Sequence, residues 1–282
     1  MSEGVIYKAL SGFYYIADGT GTFTCKAKGK FRHSGLAPLV GDRVVFTEDG
    51  IIDEILERKN SFIRPAVANI DVFVFVASNA KPVTDPFLID RVSVIAESAG
   101  CEFILALNKN DLENTDELFE IYSKSGFKVF KTSAATGEGI DDLLNSIKGR
   151  ISVFTGNSGV GKSSILNNII PNACIETAEI SDKLGRGKHT TRHIEFYSPC
   201  ENTYIADTPG FASFDIEMID EIDKEELQYD FIDFVPYLGK CRFNDCRHIS
   251  EPGCNVREKV EKSRHESYVK LYDIISNHKS WD

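Results

Sequence analysis

The sequence predicts an α/β protein in three parts: a small N-terminal β-barrel, a mostly parallel sheet with flanking helices, and a short C-terminal module closed by a helix. Three observations carry this. From Gly4 to about Glu57, short alternating stretches (VIYKAL, FYYIAD, TFTCKAKGKF, DRVVFTE, IIDEIL) alternate with Gly-containing turns, the spacing of five strands in a closed barrel of the OB or SH3-like kind. From Ile70 the strands become continuous apolar runs (DVFVFVAS, CEFILALN, KVFKTSA, RISVFTG) separated by helix-like stretches (PFLIDRVSVIAESAG, GIDDLLNSIKG), the alternation of a buried parallel sheet. After Gly210 the chain is strongly acidic to about Asp233, then enters a Cys/His cluster and an amphipathic helix ending near Asn277. The expected boundaries are 1–66, 67–222 and 223–282.

The 282 residues, 42% hydrophobic and 27% charged, suit about two domains' worth of buried core, and no apolar run reaches the ~20 residues of a membrane span. The opening MSEGVIYKALSG lacks a basic segment followed by an apolar core, so a cytoplasmic protein without membrane association is expected. Seven cysteines, an odd number, then imply reduced or metal-bound thiols. A net charge of -11 argues, as an average, against a nucleic-acid partner.

Residues 156–163, GNSGVGKS, match the phosphate-binding loop and lie between an expected strand (ISVFT) and an expected helix (KSSILNNII). The expected nucleotide contacts here are Gly156, Asn157, Ser158, Gly159, Val160, Gly161, Lys162, Ser163 and Ser164. Backbone N–H groups close around the phosphates, the helix start adds its positive dipole end, Lys162 reaches the β- and γ-phosphates, and the Ser163 hydroxyl ligates magnesium. A second strand, YIAD, ends at Asp207 in DTPG, where the Asp can hold magnesium through water and the Gly210 amide can meet the γ-phosphate. Alone, DTPG is an ordinary strand-end turn.

Base specificity is expected from NKND: Asn108, Lys109, Asn110 and Asp111, at the end of the strand FILAL. An Asp111 carboxylate there can accept from the N1–H and 2-amino group of guanine. Adenine offers no such donor pair, so it would leave a buried charge unpaired. Ser133 and Ala134, ending the next strand, are placed for backbone contact with guanine O6. In an ordinary GTPase the phosphate loop precedes these elements; here it follows them, which is the order of a circularly permuted domain. The chain after DTPG then leads directly into the C-terminal module, and γ-phosphate loss is expected to reach that module along it.

The candidate nucleotide-sensing loop is SDKLGRGKHTTRHIEF. Thr190 or Thr191, with Thr191 preferred, would complete the magnesium shell. Phe211 follows DTPG where many GTPases place a water-orienting Gln, so intrinsic hydrolysis should be slow, and water positioning must come from His189, His193 or a partner.

Cys241, Cys246, His248 and Cys254 are spaced C-x4-C-x-H-x5-C. Four soft ligands in a turn-rich segment suit a closed structural zinc site that folds a module lacking its own core.

With these motifs in order, from VGDRV through ERKNSFIRPAVANID, NKND, GNSGVGKSS, GRGKHTTRH and DTPGF to CRFNDCRH and EPGC, the sequence resembles the RsgA/YjeQ (YloQ) family of circularly permuted GTPases acting in small ribosomal subunit maturation. The resemblance implies an N-terminal OB-fold that binds rRNA, a GTP-hydrolysing domain stimulated by the small subunit, one structural zinc ion and magnesium with GTP. It also implies a hydrophobic residue in place of the catalytic Gln. An asymmetric RNA partner makes a monomer the simpler expectation.

The charge partition permits such a partner. Residues 1–70 carry nine Lys/Arg against eight Asp/Glu, residues 71–210 thirteen against nineteen, and residues 211–282 ten against sixteen. Lys26, Lys28, Lys30 and Arg32 alternate, so on a strand they would share one face at phosphate-like spacing. A solvated strand face is the plainer alternative. Arg242, Arg247, Arg257, Lys259, Lys262 and Arg264 form a second basic group. Two other functions fit parts of the pattern: a nucleotide-gated adaptor whose barrel and zinc module bind a protein, and a simple nucleotidase.

Overall fold

The computed structural model describes residues 1–33, 36–63, 66–170, 196–207, 219 and 222–278. The expectations for His189, Thr190, Thr191, His193, Gly210 and Phe211, and for the chain following DTPG, lie outside the described residues.

Strands β1 (Ser2–Leu10), β2 (Phe13–Ala17), β3 (Thr22–Ala27), β4 (Arg43–Phe46) and β5 (Ile51–Ile55) close a barrel in the order β1-β2-β3-β5-β4. Alternation places Ile6, Ile16, Cys25, Val44, Phe46 and Ile52 inside, all buried. The one parallel pair, β3 with β5, ends at Ala27↔Ile52, and the chain then forms a single helical turn, α1 (Lys30–His33). This corrects the expectation of a continuous basic strand through TFTCKAKGKF. Only Lys26 lies on β3; Lys28 follows its end, and Lys30 and Arg32 belong to α1. The physical reason is the buried side chain of Phe31, which the chain turns at Gly29 to carry toward the core, with the Phe31 N–H donating to the Lys28 carbonyl at 3.2 Å. Lys28 and Lys30 both meet Asp53 on β5.

The barrel is fastened to the next layer by Asp42 of VGDRV. Its fully buried carboxylate accepts from Arg58 Nε at 2.7 Å and Nη2 at 2.8 Å and from the Leu39 N–H at 2.7 Å. Gly41, at φ 96°, lies so close to the Ala68 carbonyl that a Cβ would sit 2.0 Å from its oxygen. Ala68 ends a hairpin of β6 (Ser61–Ile63) and β7 (Ala66–Ala68).

The central sheet comprises β8 (Val72–Ala77), β9 (Glu102–Leu107), β10 (Lys128–Lys131), β11 (Ile151–Thr155), β12 (Phe196–Tyr197) and β13 (Tyr204–Asp207), in the order β10-β9-β8-β11-β13-β12. All neighbours are parallel except β12 with β13. Helices α2 (Pro86–Ser98), α3 (Asp116–Lys124), α4 (Ile140–Ile147) and α5 (Lys162–Ile169) connect the strands and cover both faces. This is why β8 is buried along its whole length and reads as an unbroken apolar run.

The C-terminal module holds the short helices α6 (Leu227–Asp230) and α7 (Asn255–Lys259) and the long α8 (Lys262–His278), which packs on α2. Arg264 of α8 is fully buried, not part of a basic surface. Its guanidinium donates to Asp90 of α2 and to Asp233, both at 2.7 Å, and lies against the rings of Phe231, Phe127 and Tyr122. Asp90 on α2 and Asp233, three residues past the end of α6, share this one guanidinium, so each buried carboxylate has a charged partner. No helix among the described residues is long and apolar enough to cross a membrane.

Candidate functional site

The strand order brings the motif loops to one edge. The order in which strands are added reverses between β8 and β11: β9 and β10 are laid down on one side of β8, while β11 and β13 lie on the other, all of them parallel. A parallel sheet opens a crevice outside the carboxyl ends of its strands at such a point. The phosphate loop leaves β11 there, NKND leaves β9, TSA leaves β10, and Asp207, level with Phe154 of β11, closes β13.

The phosphate loop is fixed by what surrounds it. Gly156 has φ 139°, and a Cβ on it would lie 2.2 Å from the Val76 carbonyl oxygen; at Gly161, φ 94°, a Cβ would meet Asn108 Nδ2 at 2.2 Å. Only glycine fits either place. Val160 is buried and packs beneath the loop, Asn157, Lys162, Ser163 and Ser164 are half-buried, and Ser158 and Gly159 face solvent. Helix α5 begins at Lys162 with its N-terminus toward the loop, the arrangement that receives phosphate.

Asn108 is the buried centre of the base side. Its N–H donates to Ala77 O at 2.8 Å, its Nδ2 to Val160 O at 2.8 Å, and its Oδ1 accepts from the Ala134 N–H at 3.1 Å. One side-chain amide therefore ties NKND to the phosphate loop and to TSA. Asn110 is also structural: its Oδ1 accepts from Thr115 Oγ1 at 2.9 Å, and its N–H donates to Thr132 O. Asp111 is exposed, and its Oδ1 accepts from Ser133 Oγ at 2.6 Å, which orients the carboxylate. The Ser133 and Ala134 amides, expected to face guanine O6, donate here to Glu138 O at 3.0 Å and Asn108 Oδ1. Lys109, at φ 63°, sends Nζ to the carbonyl of Lys81 at 2.7 Å.

Two participants carry no motif signal. Asn168 of α5 donates Nδ2 to Ala134 O at 2.9 Å, and residues 78–84 form a further wall beside the phosphate loop. The position of 78–84, directly after the buried strand beside ISVFT, is the available sequence clue.

The four soft residues of the C-terminal module converge. The ligand atoms of Cys241, Cys246, His248 and Cys254 all lie within 4.8 Å of one another. His248 Nδ1 is 3.5 Å from Cys241 Sγ and 3.4 Å from Cys254 Sγ, close to the ~3.5 Å nitrogen–sulfur edge of a tetrahedron built on usual Zn–S and Zn–N lengths. The donor set and spacing fit one metal ion. His248 Nε2 faces Gln228 Oε1 at 3.2 Å, which fixes the tautomer that leaves Nδ1 free to ligate. Burial keeps the His248 imidazole below its ordinary pKa, hence neutral, and pushes the Cys246 thiol up to about 12, so a cation is what would convert it to thiolate. The Asn255 N–H donates to Cys241 Sγ and the Arg257 N–H to Cys254 Sγ, the donors that a charged sulfur uses. Burial pushes the Glu251 carboxyl up, but N–H donors including Arg247, Ile249 and Ser250 hold it below its ordinary range and shape the knuckle.

The RsgA GTPase family model matches residues 55–217, and the RsgA N-terminal domain model matches residues 3–52. A curated relative from Caldanaerobacter subterraneus subsp. tengcongensis is 43% identical over 281 residues, covering 95% of this chain and 94% of its own. One from Halalkalibacterium halodurans is 43% identical over 295 residues, covering 99% of each. Both carry the name small ribosomal subunit biogenesis GTPase RsgA. The crystal structure of YloQ, a circularly permuted GTPase, matches with a TM-score of 0.81 at 32% identity over 99% of this chain and 96% of that one. YjeQ from Thermotoga maritima matches with a TM-score of 0.80 at 34% identity over 98% of each. With the permuted strand order, the five-stranded barrel and the Cys/His centre, these similarities establish that the chain belongs to the RsgA GTPase family.

Proposed function

We propose that this chain hydrolyses GTP to GDP and phosphate as a late assembly and maturation factor of the small ribosomal subunit, bound to its rRNA and stimulated by it. The observation that carries the reading is the convergence of NKND, TSA and the phosphate loop on Asn108, in a permuted domain flanked by a barrel and a soft-ligand knuckle. The relatives' name supplies the ribosomal half of the proposal.

In this reading Asp111 accepts from N1–H and the 2-amino group of guanine, with Ser133 holding the carboxylate in place. Residues 156–164 and the start of α5 surround the phosphates, and Lys162 offsets the charge that moves onto the leaving oxygen. Ser163, Thr191 and, through water, Asp207 would hold a magnesium ion, which would neutralise phosphate charge when bound. Gly210 meets the γ-phosphate. Phe211 replaces the water-orienting Gln of many GTPases, so the intrinsic rate is low, and His189 or a group of the subunit places the water.

The proposed division is 1–66 for the RNA-binding OB-fold, 67–222 for the GTPase domain and 223–282 for the module that a structural zinc ion organises. Lys26, Lys28, Lys30 and Arg32, around the end of β3, are the proposed RNA contacts of a cytoplasmic monomer. Turnover measured with and without purified small subunits tests the function. Many-fold stimulation, abolished by Lys162→Ala, is expected; turnover indifferent to the subunit would favour the adaptor instead.

A further inference from the structure

Residues 78–84, SNAKPVT, touch both halves of the nucleotide site and match none of its motifs. They leave β8, the strand beside the phosphate-loop strand, and enter α2. The segment is closed on itself at its base. Ser78 N–H donates to Thr84 Oγ1 at 3.0 Å, Thr84 N–H donates back to Ser78 O at 2.9 Å, and Ser78 Oγ donates to Ala80 O at 2.9 Å. Ser78 and Thr84 are buried. Asp85 then caps α2 by accepting from the Phe87 N–H at 2.9 Å. Proline at 82 restricts the backbone of Lys81 to extended conformations, which limits the directions its carbonyl can take.

From this fixed base the segment reaches three ways. The Lys81 carbonyl accepts from Lys109 Nζ of NKND at 2.7 Å. The Pro82 ring lies on the phosphate loop, close enough that a Cβ on Gly159 would be 3.2 Å from its Cδ. Asn79 Nδ2 donates to Asn114 O at 2.7 Å, beyond NKND. The three contacts span the pocket from its phosphate side to its base side.

We propose that residues 78–84 are a positioning element of the nucleotide site, holding Lys109 through the Lys81 carbonyl and bracing Gly159 with the Pro82 ring, so that both loops are set before guanine nucleotide enters. Lysine has a flexible four-carbon stem, and ordering it when the ligand arrives would subtract from affinity. A charge-assisted bond to a carbonyl held by its own loop removes most of that cost beforehand. Lys81 and Pro82 act through Lys109 and Gly159, and neither is assigned a contact with the reacting atoms. The inference rests on the guanine-nucleotide reading of the site.

A double-mutant cycle on the full chain separates the two. Affinity for fluorescent GDP is measured for the unaltered protein, Pro82→Gly, Lys109→Ala and the double variant. Pro82→Gly is expected to weaken binding about tenfold, the scale of one charge-assisted contact. The double variant is expected to fall at least threefold short of the product of the single losses, because the loop acts in part through Lys109. Binding by Pro82→Gly within twofold of the unaltered protein, or losses that simply multiply, overturns the positioning role. If Pro82→Gly does not fold, Asn79→Ala, which removes the Asn114 tether, takes its place under the same criteria. An unaltered protein that prefers ADP to GDP overturns the guanine reading and the inference with it. Preference for GDP with a multiplicative cycle overturns the inference alone.

Discussion

The side-chain amide of Asn108 donates to the carbonyl oxygen of Val160 at 2.8 Å, joining residues 52 apart in the chain and the two halves of the nucleotide site. The same side chain accepts from the Ala134 N–H, so Asn108→Ala leaves a buried carbonyl and a backbone donor without their partner. We expect a loss of about 2–4 kcal/mol in urea unfolding without nucleotide. GDP affinity should fall by more than tenfold in titrations at temperatures where the variant stays folded.

Asp111→Asn changes the base that is read. Xanthine carries a carbonyl where guanine has its 2-amino group, and a carboxamide N–H matches that carbonyl. GTP binding should fall by about a hundredfold or more while XTP binding rises, as polar mismatches of this kind produce. Competition of unlabelled GTP and XTP against a labelled nucleotide checks both directions.

The knuckle should depend on its metal. Elemental analysis is expected to find one zinc per chain, lost on Cys254→Ser or on exhaustive chelation. Removal should expose residues 241–246 to hydrogen exchange more than 247–254, because Tyr268 and His265 of α8 still meet the Arg247 and His248 carbonyls at 2.8 and 2.7 Å.

Burial, with Glu102 nearby, pushes the Glu97 carboxyl up to about 7, opposed by Arg264; burial, with Glu97 and Glu226 nearby, pushes Asp230 up to about 7. The folded state therefore binds protons that the unfolded chain releases in its ordinary carboxylate range, and stability falls as pH rises from that range to about 7. Glu97→Gln should leave stability nearly unchanged at pH 5 and raise it at pH 8. Denaturant unfolding at the two pH values measures this.

Reversing the charges of Lys26, Lys28 and Lys30 to Glu should weaken association with the small subunit and make its loss with salt shallower than in the unaltered protein, with GTP affinity unchanged. Because Lys28 and Lys30 both meet Asp53, Asp53→Asn should strengthen that association modestly. Sedimentation with small subunits at several salt concentrations reads both.

The parts of this protein that a contiguous stretch can encode were visible in the sequence. The barrel strands announce themselves by alternation, the buried strands by unbroken apolar runs, and the phosphate loop, NKND and the Cys/His knuckle by residue types at fixed spacing. What depended on distant partners was not. The run of Lys26, Lys28, Lys30 and Arg32 has the pattern of a strand face, yet β3 stops at Ala27, since burying Phe31 requires a turn that local alternation does not reveal. Arg264 sits among basic residues in the sequence but is buried, because Asp90 and Asp233 meet it only after α2 and α8 pack. Gln228 stands in an acidic stretch with no metal signature and becomes the partner of His248. Sequence alone determined which chemistry the chain carries, because that chemistry resides in short motifs and in the period of apolar residues. Tertiary structure decided which groups hold those motifs in place, because a hydrogen bond or ion pair across many residues forms only when the elements bearing its two ends have packed.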